Sequence, residues 1–452
     1  MTVIRLTIAT ALMMGALVPV SEAAPPSSFN VSQAADLKLA MDQQGVPGAV
    51  VALVAGGELK FAVAAGWADC KSQRSMSVDT PMMLASLVKP LVGMAARREA
   101  ARQVYFLDRP VASFVPWSSP ANGAVTLHGW LAHAAGMAGG AVPAATTLVH
   151  APPDAFASSP AGRFSYGNAG FHLASAVLEE VSGVPIGMAL ARELGLPGSI
   201  APVLLRDLPE NAATGHLTGL GCQGPIPLRQ AWALASPGAG QGVASLSEMV
   251  PWLLALATSS WHAGFFSEVS RRAVPVHRGR VDVSYALGWY AHRNDVGPVY
   301  EHNGFLPGYG GFIRVVPSRG FALMVLANQG PGVPLTRFID RLTRETLPGW
   351  RPHMRGRASW MDPRLLPGTW VNSEGFRLRF ELHQGHLQMC ELPAGAAFCC
   401  DRFDTMAALP DRLKVRHPQF VDPLDVFLDR NDPANLAIHY LSRRFEREPA
   451  KR

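Results

Sequence analysis

Hydrophobic and polar positions follow two different periods along this chain, one typical of helices and one typical of strands. Segments of both kinds recur along the chain. Residues 29–44 have the spacing of an amphipathic helix. The β-branched run 48–54 is followed by a Gly-rich turn and a second alternating segment, 58–66, which predicts a β-hairpin. An apolar stretch then predicts a helix over residues 86–102.

Further along the chain, helical and strand patterns alternate. Helices are predicted near 126–137, 169–181, 245–257 and 336–347, and strands over 299–304, 310–316 and 320–327. The helix near 245 begins with Ser245 and Glu248, which fit a capping box. Strands near both ends with helices between them predict one antiparallel β-sheet built from the two chain ends and flanked by helices, an α+β fold.

The pattern changes after residue 347. Residues 348–365 contain Arg, Pro and Trp and are predicted to be a linker. From residue 366 the chain consists of short alternating segments separated by turns, which predicts a small C-terminal all-β domain over 366–452, either a barrel or a meander. The segments are 368–372, 376–382, 386–391, 397–403, 413–415 and 425–429.

The amino-terminal residues 1–23 have the pattern of an export signal. Arg5 precedes a short apolar core, and the small residues at 21–23 suit cleavage. The apolar run is too short for a comfortable membrane span. We therefore expect a periplasmic or secreted protein with no stable membrane span after signal removal, and an uncut membrane anchor is the alternative.

Composition narrows the classes of partner. The chain has 452 residues, of which 48% are hydrophobic and 16% charged, as in globular proteins of two or three domains. The net charge of +6 comes from scattered arginines. Because no basic run is interleaved with aromatic residues, nucleic-acid binding is not expected. We expect a small molecule or a short peptide as substrate, and the sequence does not indicate the oligomeric state.

The five cysteines do not have the spacing of a zinc site, and no HExxH motif is present, so no metal and no cofactor are expected. A bridge between Cys390 and either Cys399 or Cys400 is plausible in an oxidising compartment, because the segment between them can form a hairpin. The odd count leaves at least one thiol free or paired between molecules. The sequence does not favour a catalytic cysteine.

Candidate chemistry begins with Ser86 and Lys89. Residues three apart lie on one face of a helix, so the hydroxyl and the amine can touch. A serine hydroxyl needs a neighbour that takes its proton, and a lysine can do so when burial lowers its pKa. Eight apolar residues surround the pair: Met82, Met83, Leu84, Leu87, Val88, Leu91, Val92 and Met94. The pattern predicts an activated serine nucleophile.

Three further polar positions have two interpretations each. Tyr166 and Asn168 precede a predicted helix; they either face the same cavity as Ser86, or Tyr166 packs and Asn168 caps the helix. His302 lies in a predicted strand and is either a site residue or a buried edge-strand histidine. The lone histidines His128 and His133 are interpreted as structural.

Ser86-x-x-Lys89, Tyr166-x-Asn168 and His302-x-Gly304 occur in this order. This set resembles the serine β-lactamase and penicillin-binding-protein superfamily, in particular its class C branch. The resemblance covers residues 30–345 and implies a hydrolase domain over 24–347. Gly368-Thr369-Trp370 is similar to lipocalin-like β domains attached to some relatives.

The resemblance implies a role for each matching position. Ser86 would be acylated, Lys89 would take its proton, and Tyr166 would carry the proton to the leaving group. Asn168 would bind the substrate carbonyl. His302 would stand where the lactamases carry a lysine, and it would tune Tyr166 or meet a substrate carboxylate.

The strand after His302 completes the implied binding site. Asn303 and Gly304 would line the substrate strand, and Gly304 would allow close approach of the backbone. The N–H groups of Ser86 and Phe305 would form the oxyanion hole. The Gly-rich stretches near 308–311 and 238–242 are interpreted as turns and close packing.

The sequence thus predicts an exported serine hydrolase that forms an acyl-enzyme on amide or ester bonds. The first hypothesis is an enzyme acting on D-amino-acid peptides or β-lactams. The second is a carboxylesterase for short acyl esters, and the third is a penicillin-binding protein with slow turnover. Because imidazole binds a carboxylate more weakly than a lysine does, efficient antibiotic hydrolysis is not favoured.

Overall fold

The computed structural model describes residues 29–114, 124–135, 162, 164, 166–196, 208–217, 221–223, 237–277, 283–306, 308–330, 335–351, 367–372, 377–383, 386–392, 401–408, 412–416, 424–429, 437–440 and 443–447. The predicted export signal, most of the 138–162 loop, nearly all of the 348–365 linker, and Cys399 and Cys400 lie outside these ranges. Those predictions therefore stay predictions.

Thirteen strands are described before residue 331. They are β1 (Gly48–Ala55), β2 (Glu58–Asp69), β3 (Arg74–Ser75), β4 (Met82–Met83), β5 (His216–Leu217), β6 (Val243–Ala244), β7 (Val274–His277), β8 (Val283–Ala286), β9 (Trp289–Asn294), β10 (Gly297–Leu306), β11 (Tyr309–Val316), β12 (Phe321–Ala327) and β13 (Gln329–Gly330).

Nine α-helices are described between residues 29 and 346. They are α1 (Phe29–Gln44), α2 (Val88–Glu99), α3 (Leu127–Leu131), α4 (Ala169–Ser182), α5 (Ile186–Leu194), α6 (Pro237–Gly240), α7 (Leu246–Thr258), α8 (Ser260–Arg272) and α9 (Thr336–Thr346). The capping box of α7 is present: the Ser245 hydroxyl accepts from the Glu248 N–H, and the Glu248 carboxylate accepts from the Ser245 N–H.

One nine-stranded antiparallel sheet joins the two ends of this region, as predicted. Its strand order is β3-β2-β1-β12-β11-β10-β9-β8-β7. The central pair brings Ala49 opposite Ala327 and Leu53 opposite Leu323. Because both faces of β1 are covered, its side chains are apolar on both sides and do not alternate with polar ones.

The two faces of the sheet pack against different helices. Val50, Ala52 and Val54 face a large core that includes residues of α2, α4 and α7. Ala49, Val51 and Leu53 face a smaller core with α1 and α9. This arrangement confirms the α+β class, with helices on both sides of an antiparallel sheet. It places the Ala85–Leu87 turn, just before α2, against β10 and β11.

The C-terminal segment forms a closed eight-stranded antiparallel barrel, in which the first strand also pairs with the last. Six of its strands were expected from the alternation, and the last two were not. The strands are β14 (Gly368–Asn372), β15 (Arg377–His383), β16 (His386–Leu392), β17 (Asp401–Ala408), β18 (Arg412–Arg416), β19 (Leu424–Asp429), β20 (Ala437–Tyr440) and β21 (Arg443–Arg447).

A disulfide joins Cys70, just after β2, to Cys222 in a short 3₁₀ turn. The sequence did not indicate this pairing, because the two residues are 152 positions apart. Cys390 lies in β16.

Among the described residues, no single helix is long and apolar enough to span a membrane. Helices α4 and α5 reach the required length and composition only as a pair, across a bend of 76°.

Candidate active site

Ser86 lies in a tight turn that packs against β10 and β11 of the large sheet. Residues Ala85–Leu87 form a 3₁₀ turn, and α2 begins at Val88. The predicted helix start at Ser86 is therefore two residues early. The chain enters the helix through this 3₁₀ turn, whose first residue, Ala85, has a left-handed φ of +50°. Residues three apart also lie on one side of a 3₁₀ turn, so Ser86 still faces Lys89.

The ammonium of Lys89 is the centre of the site. Lys89 is fully buried, and its Nζ lies 3.0 Å from Ser86 Oγ, 2.9 Å from Asn168 Oδ1 and 2.7 Å from the Ala239 carbonyl oxygen. The Ser86–Lys89 contact expected from the spacing is present. A buried charge requires such polar partners, and here they come from three separate segments of the chain.

Asn168 stands at the N-cap position of α4, but its side chain makes no capping hydrogen bond there. Its Oδ1 accepts from Lys89 instead. Of the two interpretations of Asn168, the structure thus supports the one in which the side chain faces the Ser86 cavity.

Tyr166 packs beside the same lysine. Lys89 Nζ lies 5.0 Å from the centroid of the half-buried Tyr166 ring, within cation–π range. Tyr166 also contacts another ring: the centroid of the His133 imidazole lies 4.3 Å from the centroid of the Tyr166 ring. Tyr166 therefore lies beside Lys89 and also packs in a buried aromatic cluster. Both interpretations of this residue, as a site residue and as a packing residue, apply.

His302 on β10 is fully buried and hydrogen-bonded at both ring nitrogens. Nδ1 lies 2.5 Å from the Asn303 carbonyl oxygen, and Nε2 lies 3.1 Å from the Tyr285 hydroxyl. Burial, and then the nearby Lys89 charge, lower the pKa of His302 to about 3, although the Asn303 carbonyl acts in the opposite direction. The imidazole is therefore neutral at pH 7.

Gly304 brings β10 against the turn that carries the serine. A Cβ atom added at Gly304 would lie 2.7 Å from the Leu84 carbonyl oxygen and 3.0 Å from the backbone nitrogens of Ser86 and Leu87. The close approach expected at this glycine is thus to the Ser86 turn.

Strand β9 pairs with β10 only as far as Glu301. After Glu301, among the described residues, β10 pairs with β11 alone. The half-exposed Asn303 and the backbone of Phe305 lie on this part of the strand.

Three site components were missed by sequence reasoning. Tyr285 had no distinguishing motif, and the Ala239 carbonyl carries no side-chain signal at all. His133 was interpreted as structural, yet it is buried against Tyr166, and its Nδ1 accepts from the Gly167 N–H at 3.3 Å. Its position only seven residues after Thr126, the N-cap of α3, gave no indication of this contact.

His133 is neutral at physiological pH. Burial, followed by the charge of Lys89, lowers its pKa well below the ordinary histidine value. In contrast, His128 faces Asp108 and Arg272, away from these contacts, and burial also lowers its pKa. In the described part of the chain, no group of three or more His, Cys, Asp or Glu side chains has an arrangement that could hold a metal ion.

Two curated relatives share parts of this sequence. Esterase EstB of Burkholderia gladioli is 36% identical over 124 residues, covering 25% of this chain and 32% of the esterase. Unguisins hydrolase ungD' of Aspergillus campestris is 28% identical over 182 residues, covering 37% of this chain and 34% of that hydrolase. The chain thus spans about a third of the length of each curated relative that it matches.

Solved structures resemble the fold over nearly the whole chain. SurE superposes with a TM-score of 0.68 at 21% identity, covering 92% of this chain and 98% of SurE. An octameric penicillin-binding protein homologue from Pyrococcus abyssi gives a TM-score of 0.60 at 17% identity, covering 92% of this chain and 100% of the homologue. At these identities the likeness concerns the fold.

The family model described as Beta-lactamase matches residues 34–347. That stretch contains the Ser86 turn, the Lys89 contacts, Tyr166, Asn168 and the His302 strand. The match covers most of the chain and agrees with the resemblance carried by the three sequence motifs. The chain belongs to the beta-lactamase family.

Proposed function

We propose that this beta-lactamase-family serine hydrolase cleaves amide or ester bonds through an acyl-enzyme on Ser86. The observation that carries the proposal is the position of Lys89 Nζ, 3.0 Å from Ser86 Oγ and 2.9 Å from Asn168 Oδ1. A serine becomes a nucleophile when an adjacent base is within hydrogen-bond reach. The buried lysine has that position, and Asn168 and the Ala239 carbonyl keep its head group there.

The acylation step follows from this geometry. In its neutral form, Lys89 accepts the Ser86 hydroxyl proton while Oγ bonds to the substrate carbonyl carbon. The backbone N–H groups of Ser86 and Phe305 are proposed to bind the oxyanion. The close approach of Gly304, the neighbour of Phe305, to the Ser86 nitrogen supports this assignment. The carbonyl–leaving-group bond then breaks, and Tyr166 delivers the proton to the departing oxygen or nitrogen. Water hydrolyses the resulting ester and restores Ser86.

Two substrate classes remain candidates for this site. Esterase EstB is a sequence relative, and this supports short acyl esters. SurE, a fold neighbour, has been solved with D-Leu, and a D-amino acid amidase shares the fold, which suggests D-amino-acid amides and peptides as test substrates. A slow penicillin-binding protein stays the third possibility, since release depends on how water is activated.

We also propose that the protein works outside the cytoplasm. The export-like pattern of residues 1–23 supports this proposal. The Cys70–Cys222 disulfide supports it independently, because such bridges persist in oxidising compartments. Mass spectrometry of the protein recovered from the periplasm or medium of expressing bacteria tests both points. Recovery from the cytoplasm with residues 1–23 intact and both thiols free would contradict the proposal.

The mechanism is tested by intact mass and initial rates with p-nitrophenyl acetate and, separately, benzylpenicillin. We expect an acyl adduct on the wild type with at least one reagent. Ser86→Ala should abolish the adduct, and Lys89→Met should slow acylation by about 10² to 10⁴-fold, the range for loss of a general base. Ser113→Ala and Lys60→Met are the matched controls, because Ser113 is exposed and the side chain of Lys60 is 42% exposed, in an ion pair with Glu58.

The reagents also separate the substrate classes. Rapid ester turnover without a penicillin adduct would favour the esterase, whereas a stable penicillin adduct would favour the penicillin-binding protein. Wild-type behaviour of Ser86→Ala with either reagent would refute the mechanism.

A further inference from the structure

Both ring nitrogens of His302 are occupied by protein partners. A carbonyl oxygen only accepts hydrogen bonds, so Nδ1, 2.5 Å from the Asn303 oxygen, carries the proton. In a neutral imidazole, Nε2 is then an acceptor, and the Tyr285 hydroxyl at 3.1 Å donates to it. The structure thus assigns a single tautomer to His302.

Tyr285 can hold this role across the physiological pH range. Its side chain is fully buried, and burial, followed by the neighbouring Tyr166 and Tyr290, raises its pKa well above the ordinary tyrosine value. The phenol therefore keeps its proton and remains a donor. Its hydroxyl donates to His302, so the Nε2 lone pair of the histidine already has a hydrogen bond.

The surroundings of His302 are aromatic. Ring centroids of Tyr290, Tyr285 and Tyr166 lie 5.4, 5.8 and 6.3 Å from the imidazole centroid. The positive charge acting on His302 is that of Lys89, whose Nζ already donates to Ser86, Asn168 and the Ala239 carbonyl.

A carboxylate brought against this wall would lose water without gaining a new cation or N–H donor from His302. Removing an anion from water is unfavourable unless it is paired and hydrogen-bonded. The half-exposed Asn303 on the same strand offers an amide, which suits a neutral carbonyl or N–H.

We propose that the site selects esters and amides whose leaving group carries no free carboxylate, because Tyr285 and the Asn303 carbonyl hold His302 as a neutral, fully bonded ring. This inference rests on the proposed acylation of Ser86. It assigns His302 a positioning role in the strand beside Ser86, and it makes Tyr285 a specificity-determining residue that acts through His302.

The test compares two acetyl esters that differ in one substituent of the leaving group, a neutral carboxamide in 3-acetoxybenzamide and a carboxylate in 3-acetoxybenzoate. Both deliver the same acetyl group, and each rate is divided by the hydroxide-catalysed rate of that ester to remove the leaving-group difference. We expect the corrected kcat/KM of the benzamide to exceed that of the benzoate at least tenfold at pH 7. Equal values, or a preference for the benzoate, would overturn the inference.

The same samples distinguish this inference from the proposed function. Intact mass of wild type and Ser86→Ala shows whether the acetyl group is carried by Ser86. If Ser86 is acetylated and the benzoate is the better substrate, only the carboxylate inference is overturned. If neither ester acetylates Ser86, the proposed function fails and the inference fails with it.

A spectroscopic readout tests the tautomer without any activity. The ¹⁵N shifts of the His302 ring at pH 7 should show a protonated Nδ1 and an unprotonated Nε2. In Tyr285→Phe the Nε2 atom loses its hydrogen-bond donor, so its ¹⁵N signal should shift and the benzamide preference should fall severalfold. Tyr300→Phe is the matched control, because it removes a tyrosine hydroxyl that is bonded to the Phe266 carbonyl and not to His302. A doubly protonated ring in the wild type at pH 7 would overturn the inference.

Discussion

The imidazole of His133 lies 4.3 Å from the ring of Tyr166, centroid to centroid, and its Nδ1 accepts a hydrogen bond from the backbone N–H of Gly167. The histidine thus contacts both Tyr166 and the residue that follows it. His133 has a φ of +54°, a conformation that non-glycine residues seldom adopt. These contacts assign His133 a positioning role for Tyr166.

We therefore expect His133→Ala to lower kcat for p-nitrophenyl acetate about tenfold or more, with a smaller change in KM. His133→Asn should restore part of the rate, because an Asn oxygen can accept from the Gly167 N–H and Asn tolerates positive φ. His128→Asn, in the preceding helix α3, serves as the control. Equal losses of kcat in the Ala and Asn variants, at equal stability, would argue against the positioning role.

Gly304→Ala should disrupt the site through backbone contact. The new methyl group would lie within 3.0 Å of the Ser86 and Leu87 nitrogens, so β10 and the serine turn must separate. We expect strong loss of acylation and about 1–3 kcal/mol lower free energy of unfolding, the usual range for overpacking. Rates and urea denaturation measure the two effects.

The matched substitution is Gly264→Ala within α8, where an added Cβ meets nothing within 4 Å. Because alanine is the better helix former, this variant should gain up to about 1 kcal/mol in stability and keep its rate. If the two alanine variants behaved alike, the close approach at Gly304 would not matter.

His172 should make the fold sensitive to acid. Its side chain is buried, neither ring nitrogen has a hydrogen-bond partner in the described residues, and burial lowers its pKa to about 4. An unfolded histidine titrates near 6.5, so the unfolded state binds more protons between roughly pH 6.5 and 4. The contribution of the neutral His172 to the free energy of unfolding is therefore complete above pH 6.5, and it is lost as the pH falls from 6.5 to 4.

Replacing this histidine removes its contribution to the pH dependence. For His172→Leu, we expect the free energy of unfolding to fall less steeply between pH 6.5 and 4, by up to about 1.4 kcal/mol per pH unit relative to wild type. The value at pH 7.5, where both proteins carry a neutral side chain at this position, provides the reference. Parallel stability curves for the two proteins would contradict the assignment.

The Cys70–Cys222 bridge should stabilise the hydrolase domain. A bridge across 152 positions restricts the unfolded chain strongly, so Cys70→Ser should lower the free energy of unfolding by about 2–5 kcal/mol. Cys222→Ser should have the same effect, and the double variant should resemble either single one, because one bond is lost in all three. Additive losses in guanidinium denaturation would show that the cysteines act separately.

Much of the fold follows from local patterns. Helix α1, the β1–β2 hairpin, the capping box of α7 and the barrel strands β14–β19 were predicted because residue periodicity and turn residues act over a few positions. The Ser86–Lys89 contact belongs to the same class, since it depends on a spacing of three.

The remaining parts of the site depend on contacts between distant segments. The Lys89 contact with the Ala239 carbonyl joins residues 150 positions apart, and the Tyr285–His302 bond joins strands that only the sheet brings together. The start of α2 was misplaced by two residues, because the chain enters this helix through the Ala85–Leu87 turn, which packs against the distant strands β10 and β11. No local pattern reports such partners.

The disulfide also provides an internal time marker for folding. Random motion of an unfolded chain rarely brings together two thiols 152 positions apart, and they meet stably once the end of β2 and the 221–223 turn have docked. The enclosed stretch carries Ser86, Lys89 and Tyr166, whereas His302 lies beyond it. Timed alkylation of the reduced protein during refolding would therefore record when the nucleophile-bearing segment is enclosed, without any substrate.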